Sequence, residues 1–135
     1  MSLFMPEEKS LTYKIDLDNN LLTEIFVGNY DTNDVIAFQK KVFEDKRYNR
    51  PLNVLLDLRR STPQFSVNEL DSLVANSLKF GHLSENIKIA FLSDLPRHVV
   101  DSVIIESIFK SNKVTAEAKA FSTIEAALDW LNVQL

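Results

Sequence analysis

The chain predicts a single α/β domain in which an N-terminal β-hairpin leads into βα units forming a mostly parallel sheet flanked by helices. Three observations carry that expectation. Residues 11–27 alternate apolar and polar side chains about a turn signal, the pattern of a half-buried hairpin. Two short, nearly continuous apolar runs, 53–58 and 87–92, have the length and texture of strands buried on both faces. Between and after them lie longer stretches with apolar residues at helical spacing, so strands and helices alternate as parallel βαβ units require.

Taken in order, residues 1–10 read as a loosely held leader to a domain spanning 11–135. Tyr13, Ile15 and Leu17 alternate with Thr12, Lys14 and Asp16; Asp18-Asn19-Asn20 turns the chain, and Leu22–Val27 returns it towards Gly28. Thr32, Asn33 and Asp34 offer capping groups for a helix over 33–46 that carries Val35, Phe38 and Val42, and Pro51 bars its continuation. Residues 53–58 form the third strand, and Arg59–Phe65 reads as a loop. Ser66-Val67-Asn68-Glu69 matches a capping box ahead of a helix with Val67, Leu70, Leu73, Val74 and Leu78 on its buried stripe, and Gly81 suits its end. After the strand 87–92, Asp94 and Pro96 start a helix whose apolar residues are Val99, Val100, Val103, Ile104 and Ile108. A last strand falls within 113–121. Ser122-Thr123-Ile124-Glu125, a second capping box, opens a final helix edged by Trp130.

Composition narrows the function classes. The 135 residues include no Cys, two His and two Gly, with 45% hydrophobic and 25% charged side chains. Disulfide scaffolds, thiol nucleophiles and cysteine metal sites are therefore excluded, and a cytoplasmic, reducing setting is expected. No paired ligand spacing suggests a metal, and no phosphate-binding glycine loop is present. No apolar run approaches a membrane span, and no signal-peptide pattern opens the chain. A net charge of −4 argues against nucleic acid as a partner, although residues 40–60 hold seven basic side chains against three acidic ones. If the helix over 33–46 runs antiparallel to the third strand, Lys46, Arg47 and Arg50 lie at one end of the sheet and Arg59 and Arg60 at the other. That placement favours two solvated ends over one anion-binding patch.

With that element order, the segments Val54–Arg59, Ile87–Leu92 and Phe121–Leu131 give a chain that resembles the STAS/SpoIIAA-like domains over about residues 11–133. The resemblance implies a mixed sheet flanked by helices, no cofactor and a non-enzymatic, regulatory role in protein–protein interaction. Anti-sigma-factor antagonists of this group bind a kinase-like partner that phosphorylates a serine after the third strand. Ser66 holds the matching position, without the Asp before it and Gly after it of the usual Asp-Ser-Ser-Gly. A phosphate there would add charge and acceptors at a helix start, with Arg59 and Arg60 as counter-charges.

Ligands of parallel sheets gather at the carboxyl ends of the strands. The third strand delivers Asp57, Arg59, Arg60 and Ser61 to that edge, and its neighbour delivers Ser93, Asp94, Arg97 and His98; of these, Asp57, Arg59, Arg60, Ser61, Asp94, Arg97 and His98 are the candidate partner- or ligand-binding residues. Two further readings stand beside the regulatory module. One is a domain binding a small molecule or lipid, motivated by Phe65, Phe80, Phe91 and Phe109. The other is a small hydrolase with His98 as base, Asp57 or Asp94 orienting it and Ser61 or Ser66 attacking, against which stands the lack of a nucleophile elbow. The edge strands offer a route to a homodimer.

Overall fold

The computed structural model describes residues 7–64, 66–80 and 86–134. Five strands form one sheet in the order β1-β2-β3-β4-β5, with β1 (Ser10–Asp16), β2 (Leu21–Tyr30), β3 (Asn53–Pro63), β4 (Lys88–Leu92) and β5 (Glu117–Phe121). β1 and β2 are the antiparallel hairpin, in register from Ser10 opposite Val27 to Asp16 opposite Leu21, and every later pairing is parallel. The helices are α1 (Thr32–Phe43), α2 (Leu70–Phe80), α3 (Pro96–Ser111) and α4 (Ile124–Trp130), with a 3₁₀ turn over Val67–Glu69 leading into α2.

The order of the sheet decides where the helices lie. Because β2 to β5 are added in one direction, right-handed crossovers carry α1, α2 and α3 over the same face. That face holds the main core, where Leu22, Phe26, Val54, Leu58 and Phe91 meet Val35, Phe38, Leu70 and Leu73. α4 covers the other face alone, packing Ala127 and Leu131 on Leu21, Leu55, Ala90 and Leu92. Trp130 stacks obliquely on Phe121 at 5.3 Å, with the Lys88 ammonium over its ring, and so closes that edge.

Several boundaries differ from the sequence expectation. The strand 53–58 continues through Arg59–Pro63, which the sequence reads as loop. β2 likewise runs past Gly28 to Tyr30, and the two polar tails pair with each other from Val27 opposite Arg60 to Tyr30 opposite Pro63. A bulge at Ile25–Val27 resets the register where this extension begins. Gly28 is required there. Its φ is +80°, and a Cβ would stand 2.5 Å from the Glu7 carbonyl oxygen, so the segment before β1 crosses it closely.

The caps also move. Asp31, not Thr32 or its successors, caps α1: its carboxylate accepts the Asp34 N–H at 2.9 Å while Asp34 accepts the Asp31 N–H at 3.0 Å. The Ser66–Glu69 box does not form. Glu69 donates its N–H to the Ser66 carbonyl to close a 3₁₀ turn, and its carboxylate accepts the Thr32 hydroxyl instead. At α4, Thr123 rather than Ser122 accepts the cap bond, from the Ala126 N–H. Gly81, His82 and Phe65 lie outside the described residues.

α3 departs furthest. Val99, Val100 and Val103, three of the apolar residues expected on this helix, are about half to two-thirds exposed, whereas His98, Asp101 and Ser102 on the same helix are buried. Apolar residues surround this helix, so hydrophobicity alone leaves its orientation open. The polar inner face is tolerated because Arg97 lies one turn before Asp101 and the Ser102 hydroxyl donates to the Val99 carbonyl.

Candidate functional site

The residues expected at the carboxyl edge do not form one constellation. Asp57 and Arg59 form a bidentate pair, Arg59 Nη2 standing 2.8 Å from Asp57 Oδ2 and Nε 3.0 Å from Oδ1. Burial works against the charge on Asp57, but the side-chain and backbone bonds from Arg59 outweigh it and hold the carboxyl below its usual range. Arg60 turns to Glu7, with Nη2 2.9 Å from Oε1. Both arginines are thus already paired. At the other end of β3, Arg47 pairs with Asp45 and Arg50 donates to the Leu17 carbonyl, so the basic stretch is divided between the two ends of the sheet.

The hydrolytic arrangement is likewise not assembled. Ser61 is buried and donates to the Leu58 carbonyl at 3.0 Å; Ser66 is exposed, and its hydroxyl takes no cap bond; Asp94 is exposed. The His98 imidazole meets Ser93, delivered by the same strand to that edge, through Nδ1, and Ser93 Oγ also accepts the Leu95 N–H at 3.1 Å. His98 is 1% exposed, and its Nε2 has no hydrogen-bond partner. Burial lowers its pKa, and the Asp101 carboxylate opposes that shift without cancelling it. Among the described residues no cluster of His, Asp and Glu fit to hold a metal occurs.

The structure instead opens a cavity of about 140 Å³ between the sheet and α1, α2 and α3. Its floor is the inward row of β2 and β3, including Leu22, Phe26, Val54, Leu56 and Leu58; Phe91 of β4 borders it, and Val35, Leu73, Val74 and Ile105 are among the residues that roof it. A cavity of nearly this size lined by aliphatic and aromatic groups accommodates benzene. Polar groups are few. Gln39 on α1 lines one wall and is fixed by Asn76 (2.6 Å) and Ser77 (2.9 Å) of α2. Beyond Leu58 stand Tyr30, His98 and Asp101, the Tyr30 phenol pushed up to about 12 by burial despite a hydrogen bond with Ser61.

Glu24 is the exception in the floor. Strand periodicity puts Leu22, Glu24 and Phe26 on one face, and on that face an apolar residue is expected at position 24. Its carboxylate is half-buried in the cavity lining, opposite Leu56 in the sheet register. Burial alone pushes its pKa up to about 7, and no cation or hydrogen-bond donor is paired with it among the described residues. The sequence did contain the signal, a single carboxylate breaking an apolar row at period two, but an edge strand with one solvated face reads the same way.

No protein-family model and no curated protein matches the chain. Its architecture is similar to the crystal structure of an uncharacterised protein from the DUF3478 family with a SpoIIAA-like fold, from Shewanella loihica PV-4. The two share 17% sequence identity and a TM-score of 0.58 over 97% of this chain and 98% of that one. The hairpin, the sheet order and the distribution of helices over its faces are therefore those of the SpoIIAA-like fold, and that is the fold of this chain.

Proposed function

We propose that this protein is a non-enzymatic binding module whose ligand is a small, largely apolar molecule held beneath α1, α2 and α3. The observation that carries this reading is the cavity itself, about 140 Å³ of space, partly open to solvent, between the sheet and the three helices over the main core. Interiors are normally packed to crystal density, so apolar space of this size against the core stands out. A ligand that fills it recovers the lost contacts and excludes water from the apolar lining. The test is mass spectrometry of an organic extract from protein purified out of its own cells, with Val74→Phe, which narrows the cavity, as the control. A stoichiometric small molecule in the wild type that is depleted in the variant is expected. Extracts without such a molecule contradict the reading.

A second reading, a regulatory protein-interaction module of STAS type, is favoured by the outer face of α3. Leu95, Val99, Val100 and Val103 are all about half exposed or more and lie within three turns of one helix. Contiguous exposed apolar surface of this kind marks interaction sites. In that reading Ser66 is the phosphorylation position, its hydroxyl exposed and free of any capping duty. A photo-crosslinking residue at Val103, placed in the native host, is expected to trap one discrete partner that a crosslinker at Lys110 does not. If Ser66→Asp and Ser66→Ala leave that crosslink unchanged, Ser66 is no switch.

A further inference from the structure

The cavity's one half-buried carboxylate points to a class of ligand, on the reading that the cavity is a ligand site. We propose that the pocket takes a compact primary amine on an apolar body, the ammonium paired with Glu24 and the body seated among Phe26, Leu56 and Phe91. A carboxylate withdrawn from water is costly unless a proton or a cation accompanies it. Below about pH 7 a proton can do this, because burial raises the carboxyl to about 7. A ligand ammonium does it better, because it adds a charge-assisted hydrogen bond in a setting that screens charge poorly.

The surroundings agree with that choice. Phe43 and Tyr48, whose ring centroids lie 5.9 Å apart, line the same cavity, and aromatic rings in a lining suit a cation. Asp101, the other carboxylate in the cavity lining, is already paired, and so are charged groups on neighbouring elements. Asp45 accepts from Tyr13 and Arg47, and Arg97 is held by Asp101. His98 is a weaker anchor, because its open Nε2 is enclosed by protein atoms, whereas Glu24 keeps part of its surface free. A volume near that of a benzene site limits the body to about one ring or its aliphatic equivalent.

Benzylamine and ethylbenzene test the proposal, since they differ chiefly in an ammonium replacing a methyl group. Titration of each into isotope-labelled protein at pH 8, followed by amide and methyl chemical shifts, reads both affinity and location. Benzylamine is expected to bind about ten-fold or more tightly than ethylbenzene, shifting residues of β2, β3 and α2. In Glu24→Gln, which keeps the shape, that preference is expected to vanish while ethylbenzene still binds. Equal binding of the two to the wild type, tighter ethylbenzene binding, or a benzylamine preference that survives Glu24→Gln overturns the amine assignment and leaves the cavity reading intact. If neither probe shifts the cavity residues, the cavity reading fails, and the amine assignment falls with it.

Discussion

Glu24 and Gly28, four residues apart on β2, show how much a single position can carry. Glu24 has a carboxyl that ionises near pH 7 in the folded protein and near its ordinary 4.5 when unfolded. The folded state therefore holds the extra proton between those values, and stability falls as pH rises from about 4.5 through about 7, then levels off. Glu24→Gln is expected to remove that slope and to be more stable than the wild type at pH 8 by on the order of 2 kcal/mol. Denaturant unfolding of both proteins at pH 5, 6, 7 and 8 measures it; parallel curves contradict the burial of Glu24. Gly28→Ala puts a Cβ against the Glu7 carbonyl at positive φ, so a loss of about 1–3 kcal/mol is expected. Thermal unfolding of this variant checks that close crossing. At both positions the sequence was readable only in part: Gly28 read as the end of the hairpin and instead marks a crossing within β2, and Glu24 looked like an ordinary strand residue.

At the scale of elements, the hairpin, the two buried strands and the alternation with helices were legible because each rests on local periodicity. What was not legible depends on partners distant in sequence. Arg59–Pro63 became strand because the tail of β2 was there to pair with it, and no property of those five residues announces that. The Ser66–Glu69 box failed because Thr32, 37 residues away, takes the Glu69 carboxylate. This gives a paired prediction. Asp31→Ala is expected to cost about 1 kcal/mol, since it removes a real N-cap, whereas Ser66→Ala is expected to be nearly neutral. Chemical denaturation of the two variants separates them, and equal losses contradict the capping assignment. The orientation of α3 has the same origin, because an all-round apolar helix is oriented by what its neighbours require. Of the candidate site residues, only Arg97 and His98 lie at the cavity or on the helix that roofs it; Asp57, Arg59 and Arg60 are tied into pairs along the sheet edge.

The whole molecule is built asymmetrically. Three helices crowd one face of the sheet and one short helix covers the other, so the crowded face has the depth to enclose a cavity. No helix among the described residues is long and apolar enough to cross a membrane. α3 divides two surfaces, a polar inner one bordering the cavity and a valine-rich outer one exposed to solvent. The fold class was recoverable from the chain because that asymmetry follows from connection order and handedness, which the element sequence already contains. The cavity was not, since unfilled volume is a property of how side chains meet. Crystals of the protein equilibrated with xenon gas test its existence most directly, because xenon enters preformed apolar space whatever the natural ligand. The account predicts a xenon atom between Leu56, Val74 and Phe91. A core that has closed over that space, with xenon absent or found only on the outer valines of α3, would contradict it.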